Sequence, residues 1–252
     1  MTAASARFCC RKTTEVVAVT RTNQGASPSK VRIAKFHAAL IGDTTVYAET
    51  RRKEAVRCFF RQGDLSSGCG IYCVATALAV LGVVKANAME SAANRKHGLV
   101  REVFRALQHT YFDGVTASEL YDALEAIPLP LKLTLRDAES TADIAGRRKV
   151  EKLALTGLST GCLVMIAYQC ERPDRWHWVL GVGCGGIQHG RRTLLDTIYV
   201  LDPGDETIPL AVYNAVLQRP TSKSHGSDWL MHCRDGSIFK STLVSAIRFE
   251  VT

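Results

Sequence analysis

The 252-residue chain has no apolar run long enough to cross a bilayer as a helix. The longest, Ile71 to Val84, includes Gly82 and falls short of the roughly 18 to 20 residues that a span requires. The stretch from Met1 to Thr14 carries Arg7, Arg11 and Lys12 but no apolar core such as a signal peptide needs. The expectation is a protein that stays in the cytoplasm or is exported by a route without a cleavable signal. Proline is scarce, with seven residues, and long low-complexity tracts are missing, which argues against collagen-like and wholly disordered chains. The nine cysteines, at 9, 10, 58, 69, 73, 162, 170, 184 and 233, include no CxxC pair. Neither a zinc ribbon nor a complete disulfide framework is therefore expected, and the thiols are read as mostly free. Cys170, His177, Cys184 and His189 fit no zinc spacing. Gly181-Val182-Gly183 lacks the third glycine of a dinucleotide loop, and no GxxxxGK[ST] occurs, so neither cofactor nor metal is expected.

Acidic residues are short only in the first quarter. Residues 1–61 hold 12 Lys/Arg against 4 Asp/Glu, whereas residues 62–252 hold 20 of each, so the whole net charge of +8 sits at one end. Such an arm is a solubilising face and offers a docking site for an acidic partner. Without interleaved aromatics or a zinc motif, nucleic-acid binding is disfavoured.

Period-2 patterning at Val16–Thr20, Val31–Phe36 and Thr45–Ala48, with Gly42-Asp43 between the last two, predicts a β-hairpin inside this arm. Residues 1–55 are read as the arm and 56–252 as a catalytic domain. Asn23–Ser29 is a turn-rich connector, and Arg51-Arg52-Lys53 a solvated charge run. From Cys69 to Val83 the residues are apolar on nearly all sides, which predicts a helix buried within a core, with Ser66-Ser67-Gly68 capping its start. Amphipathic helices are expected at Leu99–Thr110 and at Ala117–Ala126, the second capped by Thr116 and stopped by Pro128 and Pro130. A shorter helix around Arg148–Leu155 leads into strand-like runs at Cys162–Tyr168, Trp178–Val182, Thr197–Leu201 and Leu243–Val251. Helices in front and strands behind predict an α+β architecture.

Cys69 stands where the polar loop Gln62–Gly68 turns into the buried helix. Helix N-terminal amides stabilise a thiolate, and Gly68 and Gly70 allow close approach of a carbonyl. Gln62 supplies a side-chain amide that, with the Cys69 backbone N–H, suits an oxyanion. His177, between Trp176 and Trp178 at the start of a buried strand, is a candidate general base; alternation puts it on the face opposite both tryptophans. Asp202, in Tyr199-Val200-Leu201-Asp202-Pro203-Gly204, ends a strand where a carboxylate can orient an imidazole, with Asp196 a nearer competitor in weaker context. Cys73, one turn after Cys69, is read as a core residue, with a resolving thiol as the alternative.

The order Gln62, Cys69-Gly70, His177, Asp202-Pro203 resembles the papain-like cysteine peptidases, most closely the double-glycine group that processes bacteriocin leaders and its stand-alone bacterial relatives. The resemblance spans roughly Phe59 to Gly204. It implies an α+β papain-like fold in which a central buried helix packs on an antiparallel β-sheet. It also implies Cys69 as nucleophile, His177 as base and later acid, Asp202 as orienting carboxylate and Gln62 as oxyanion donor, acting on a peptide or protein. The His-to-Asp connector, Gly183 to Thr197, is longer than that family's tight hairpin. Ser66-Ser67-Gly68-Cys69 is also similar to the Leu-Ser-Gly-Cys signature of toxin deamidases, with one extra serine. A protein glutamine deamidase or transglutaminase-like effector, and a non-catalytic binding module, stand as the alternatives.

Overall fold

The computed structural model describes residues 14–16, 31–50, 53–63, 67–170, 176–189, 192–220 and 228–252. Val17–Thr20, Asn23–Ser29, Arg51-Arg52 and Cys9-Cys10 lie outside the described residues.

The described residues of the back half of the chain form six strands: β7 (Leu163–Cys170), β8 (Trp176–His189), β9 (Arg192–Leu201), β10 (Ala215–Gln218), β11 (Trp229–His232) and β12 (Ile238–Val251). Each pairs antiparallel with the next, and β12 returns to pair with β7, from Ser241↔Cys170 to Phe249↔Leu163. The sheet is therefore a closed antiparallel barrel. This corrects the expected α+β, papain-like arrangement, in which a central helix packs on an antiparallel layer: the described residues form a mostly β fold built on the barrel. Two 14-residue strands also carry strands from outside the barrel, because each is long enough to hold different partners along one edge. On β8, Trp176–Gly181 pairs with β7 and Gly183–Gln188 with β2 (Val31–Phe36), which in turn carries β1 (Thr14–Val16). On β12, Ile238–Ser241 pairs with β11 and Ser245–Val251 with β6 (Leu131–Asp137). Irregularities at Gly181/Gly183 and Gly185/Gly186 bend β8 between its partners. At Gly186 a side chain would run into the Leu194 backbone, so only glycine lets β9 lie this close.

A hairpin does form around Gly42-Asp43, but its first strand is β3 (Leu40–Gly42), paired with β4 (Val46–Glu49); β5 (Ala55–Arg57) completes this small sheet. Val31–Phe36 instead joins the barrel sheet as β2.

The helices run α1 (Cys69–Val80), α2 (Ala86–Glu90), α3 (Leu99–Leu107), α4 (Thr110–Asp113), α5 (Ala117–Glu125) and α6 (Ile144–Ser159). The α5 start is a capping box, in which the Thr116 hydroxyl accepts from the Glu119 N–H and the Glu119 carboxylate accepts from the Thr116 N–H. β7 explains the two buried layers. Its residues from Leu163 to Tyr168 are all buried, which is why they read as a continuous apolar run. Leu163, Met165 and Ala167 face the core that contains α1, α3 and α5, together with Trp178, Leu180 and Val244. Val164, Ile166 and Tyr168 face a second core with Val179, Val200, Leu217, Trp229 and, from α6, Val150, Ala154 and Leu158.

Candidate active site

Helix α1 is buried over most of its length because both of its sides are apolar, and this fixes its first residue, Cys69, against β8. Gly68, and not a serine, occupies the N-cap, which supplies no side-chain cap, and the Gly70 amide hydrogen-bonds the Cys69 thiol. The first-turn amides point at the region of the Cys69 sulfur, where partial positive charge favours an anion. Cys69 is buried, and its Sγ accepts from the Trp178 backbone N–H at 3.4 Å.

His177 and Asp202 meet because of strand register. Leu180 lies opposite Leu201, so His177 and Asp202 emerge together at the base of the β8–β9 hairpin. The long stretch from Gly183 to Thr197 extends the opposite end of that hairpin and leaves this register untouched. His177 Nε2 donates to Asp202 Oδ1 at 2.7 Å, which leaves Nδ1 as the nitrogen for Cys69. The Gly204 N–H donates to the same carboxylate oxygen at 2.7 Å, in the turn set by Asp202-Pro203-Gly204. Asp196 is held elsewhere on β9 by Arg32, at 2.8 Å, and is not the partner of His177.

The electrostatics separate Cys69 from its neighbours. Burial on its own would raise the Cys69 thiol, but hydrogen bonding and charge from His177, with the Trp178 and Gly70 backbone, pull it below its ordinary value. Burial would likewise lower the His177 imidazole; the Asp202 charge and hydrogen bond, joined by Cys69, outweigh it and push the pKa up to about 10. Both shifts favour a thiolate–imidazolium pair. Cys73, one turn along, donates its Sγ–H to the Trp178 carbonyl at 3.4 Å. Burial, then the Cys69 and Asp202 charges, raises its pKa well above normal, so it behaves as an inert core thiol.

Gln62 enters through its backbone, whose N–H donates to the Pro203 carbonyl at 2.7 Å, directly after Asp202. The next residue, Gly63, hydrogen-bonds through its backbone to the Tyr72 phenol, and Tyr72 in turn meets the Tyr111 hydroxyl at 3.3 Å. The segment before Cys69 is thus tied both to the acid turn and to α1. Trp176 is 52 % exposed, while Trp178 is buried against α1 and donates its indole N–H to the Val115 carbonyl at 3.1 Å. The structure therefore brings Cys69, His177 and Asp202 together and tethers Gln62 to their turn.

Three contributors escaped the sequence reading. The Tyr168 ring stands edge-on to His177 with centroids 5.6 Å apart, the Trp178 backbone serves the thiol, and Asn214 bonds the backbone of Asp202. Of these only Tyr168 had a signal, as the sole ring in the alternating face of β7. Among the described residues, no three His, Cys, Asp or Glu side chains gather as metal ligands. None of the helices formed by the described residues is long and apolar enough to cross a membrane. No protein-family model matches the chain, and no curated protein matches it.

Proposed function

We propose that the protein is a thiol hydrolase that cleaves an amide bond in a peptide or protein through a thioester on Cys69. The observation that carries this reading is one imidazole shared in order, with Nε2 on Asp202 at 2.7 Å and the other nitrogen left for a thiol whose pKa is lowered. In the first half-reaction the Cys69 thiolate adds to the carbonyl carbon. The negative charge that develops on oxygen is met by the Cys69 backbone N–H and the Gln62 amide. The C–N bond then breaks as His177 Nδ1 gives its proton to the leaving amine. In the second half, water attacks the thioester while His177 accepts a proton, the C–S bond breaks, and the acid leaves with Cys69 regenerated. Asp202 holds the ring in the tautomer this cycle needs.

The test is incubation with an unstructured protein and a peptide mixture, read by mass spectrometry against Cys69→Ala. New peptide termini that vanish in the variant support the proposal. A gain of roughly one mass unit without fragments would assign the same chemistry to a glutamine side chain, and an amine adduct would assign it to transfer. Salt-sensitive binding that survives Cys69→Ala, with neither fragments nor adducts, would make the protein a binding module and overturn the proposal.

A further inference from the structure

Asn214 immediately precedes β10 and is completely buried. Its Oδ1 accepts from the Asp202 backbone N–H at 2.6 Å. Its Nδ2 donates to the Asp202 carbonyl at 2.8 Å and to the Asp205 carbonyl at 3.4 Å. Its own backbone N–H donates to the Val200 carbonyl at 3.0 Å. One side-chain amide therefore pairs with both backbone groups of residue 202, as a neighbouring strand's peptide unit would. It does so where regular pairing ends, because the last β9–β10 pair is Val200↔Ala215 and Pro203 carries no N–H to continue the ladder. The Asp202 carbonyl also accepts from the Asp205 N–H at 3.2 Å, but the Asp202 N–H has the Asn214 Oδ1 as its acceptor, and a buried N–H left without one would be costly.

We infer that Asn214 is a positioning residue: it locks the backbone of Asp202 so that the carboxylate stays in line with His177 Nε2. The inference rests on the reading of Cys69, His177 and Asp202 as one working unit. With the residue 202 backbone held from both sides, the carboxylate's direction is set by the Gly204 N–H on one hand and by His177 on the other, both at 2.7 Å. Without Asn214 the turn keeps the Asp205 N–H on the Asp202 carbonyl and the Gln62 N–H on the Pro203 carbonyl but loses its hold on the Asp202 N–H, which loosens the carboxylate's alignment with the imidazole. The titratable groups facing His177 are Asp202 beyond β9, Cys69 from α1 and Tyr168 from β7, and of these Asn214 touches only Asp202.

The test follows the His177 imidazole by NMR titration in the full chain, in wild type, Asn214→Ala, Asp202→Asn and the double variant. Leu217→Ala, a buried change on the same strand that leaves residue 202 alone, controls for loss of stability. Asn214→Ala is expected to weaken proton binding at His177 roughly tenfold, mid-range for residues within one network, and the double variant to fall no further than Asp202→Asn. Leu217→Ala is expected to lower the melting temperature without moving the titration. If Asn214→Ala and Leu217→Ala leave the titration equally unmoved, or the double variant is additive, the inference fails. Should Asn214→Ala not fold, wild-type hydrogen exchange decides. The Asp202 amide and the Asn214 side-chain amide must exchange as slowly as core amides of β9, and fast exchange at either overturns the inference. Absence of amide cleavage alongside the expected titrations would defeat the proposed activity and leave the role of Asn214 standing.

Discussion

Replacing Gly70 with alanine sets two effects of opposite sign against each other. Glycine in a helix is disfavoured relative to alanine by up to about 1 kcal/mol, so propensity alone makes Gly70→Ala stabilising. In this helix, however, a Cβ would stand 2.7 Å from Val115 Cγ1 and 3.4 Å from Trp178 Cδ1. Val115 has little freedom to retreat, because valine has one stiff χ1 and its carbonyl accepts the Trp178 indole N–H at 3.1 Å. Overpacking of this kind costs about 1 to 3 kcal/mol, which exceeds the propensity gain. The net expectation is a loss of about 1 kcal/mol, or a melting temperature roughly 2 to 4 °C lower for a chain of this size. Val115, which must shift, holds the indole of Trp178, the residue whose backbone N–H serves the Cys69 sulfur, so alkylation of Cys69 near neutral pH should slow in parallel. Thermal unfolding and iodoacetamide labelling of the variant measure the two effects. A melting temperature above that of wild type would refute the close packing of α1 against Val115.

Asp202→Asn keeps the shape of the turn but removes the charge beside His177. Losing one charge-assisted hydrogen bond costs about 1.5 to 3 kcal/mol, so the imidazole titration should fall by about 1 to 2 pH units, as NMR would read. The pH dependence of stability has a definite sign. Because the folded His177 pKa is raised to about 10, its contribution is complete below the unfolded value and disappears as pH rises toward 10. Denaturant melts of wild type and His177→Ala should therefore converge between about pH 6.5 and 10. The Cys69 shift runs the other way: its contribution is present above the ordinary thiol value and is lost as pH falls through the lowered one. Gly186→Ala drives a methyl into the Leu194 backbone and should destabilise the β8–β9 hairpin by more than about 1 kcal/mol, seen as faster exchange of its amides.

What the sequence carried openly was local. The all-round apolarity of α1, the Thr116 cap and the apolar run of β7 each follow from a few neighbouring residues, and each stands within a few positions of where it was expected. The candidate site was legible for the same reason: Cys69 begins a helix, His177 begins a strand and Asp202 ends one. Barrel closure was not legible, because it depends on β12 meeting β7 from far along the chain, and neither was the attachment of β2 to the edge of β8. β10 and β11, at four residues each, are too short to show a period, yet they bridge β9 to β12. Leu131–Asp137 follows two helix-stopping prolines and looks like an exit loop until β12 lies beside it. Asn214 had no local signature at all, since its whole role comes from reaching a turn twelve residues away.

The proposed reaction requires Cys69 and His177 to form a ready thiolate–imidazolium pair. Iodoacetamide labelling across pH with peptide mapping of every cysteine, on wild type and on His177→Ala, tests it most directly. Wild-type Cys69 is expected to be labelled well below the ordinary thiol pKa of about 8.5, buried Cys73 to lag throughout, and the Cys69 advantage to disappear in the variant. Labelling of Cys69 no faster than that of the other thiols at every pH, or an advantage that survives His177→Ala, would contradict that pairing.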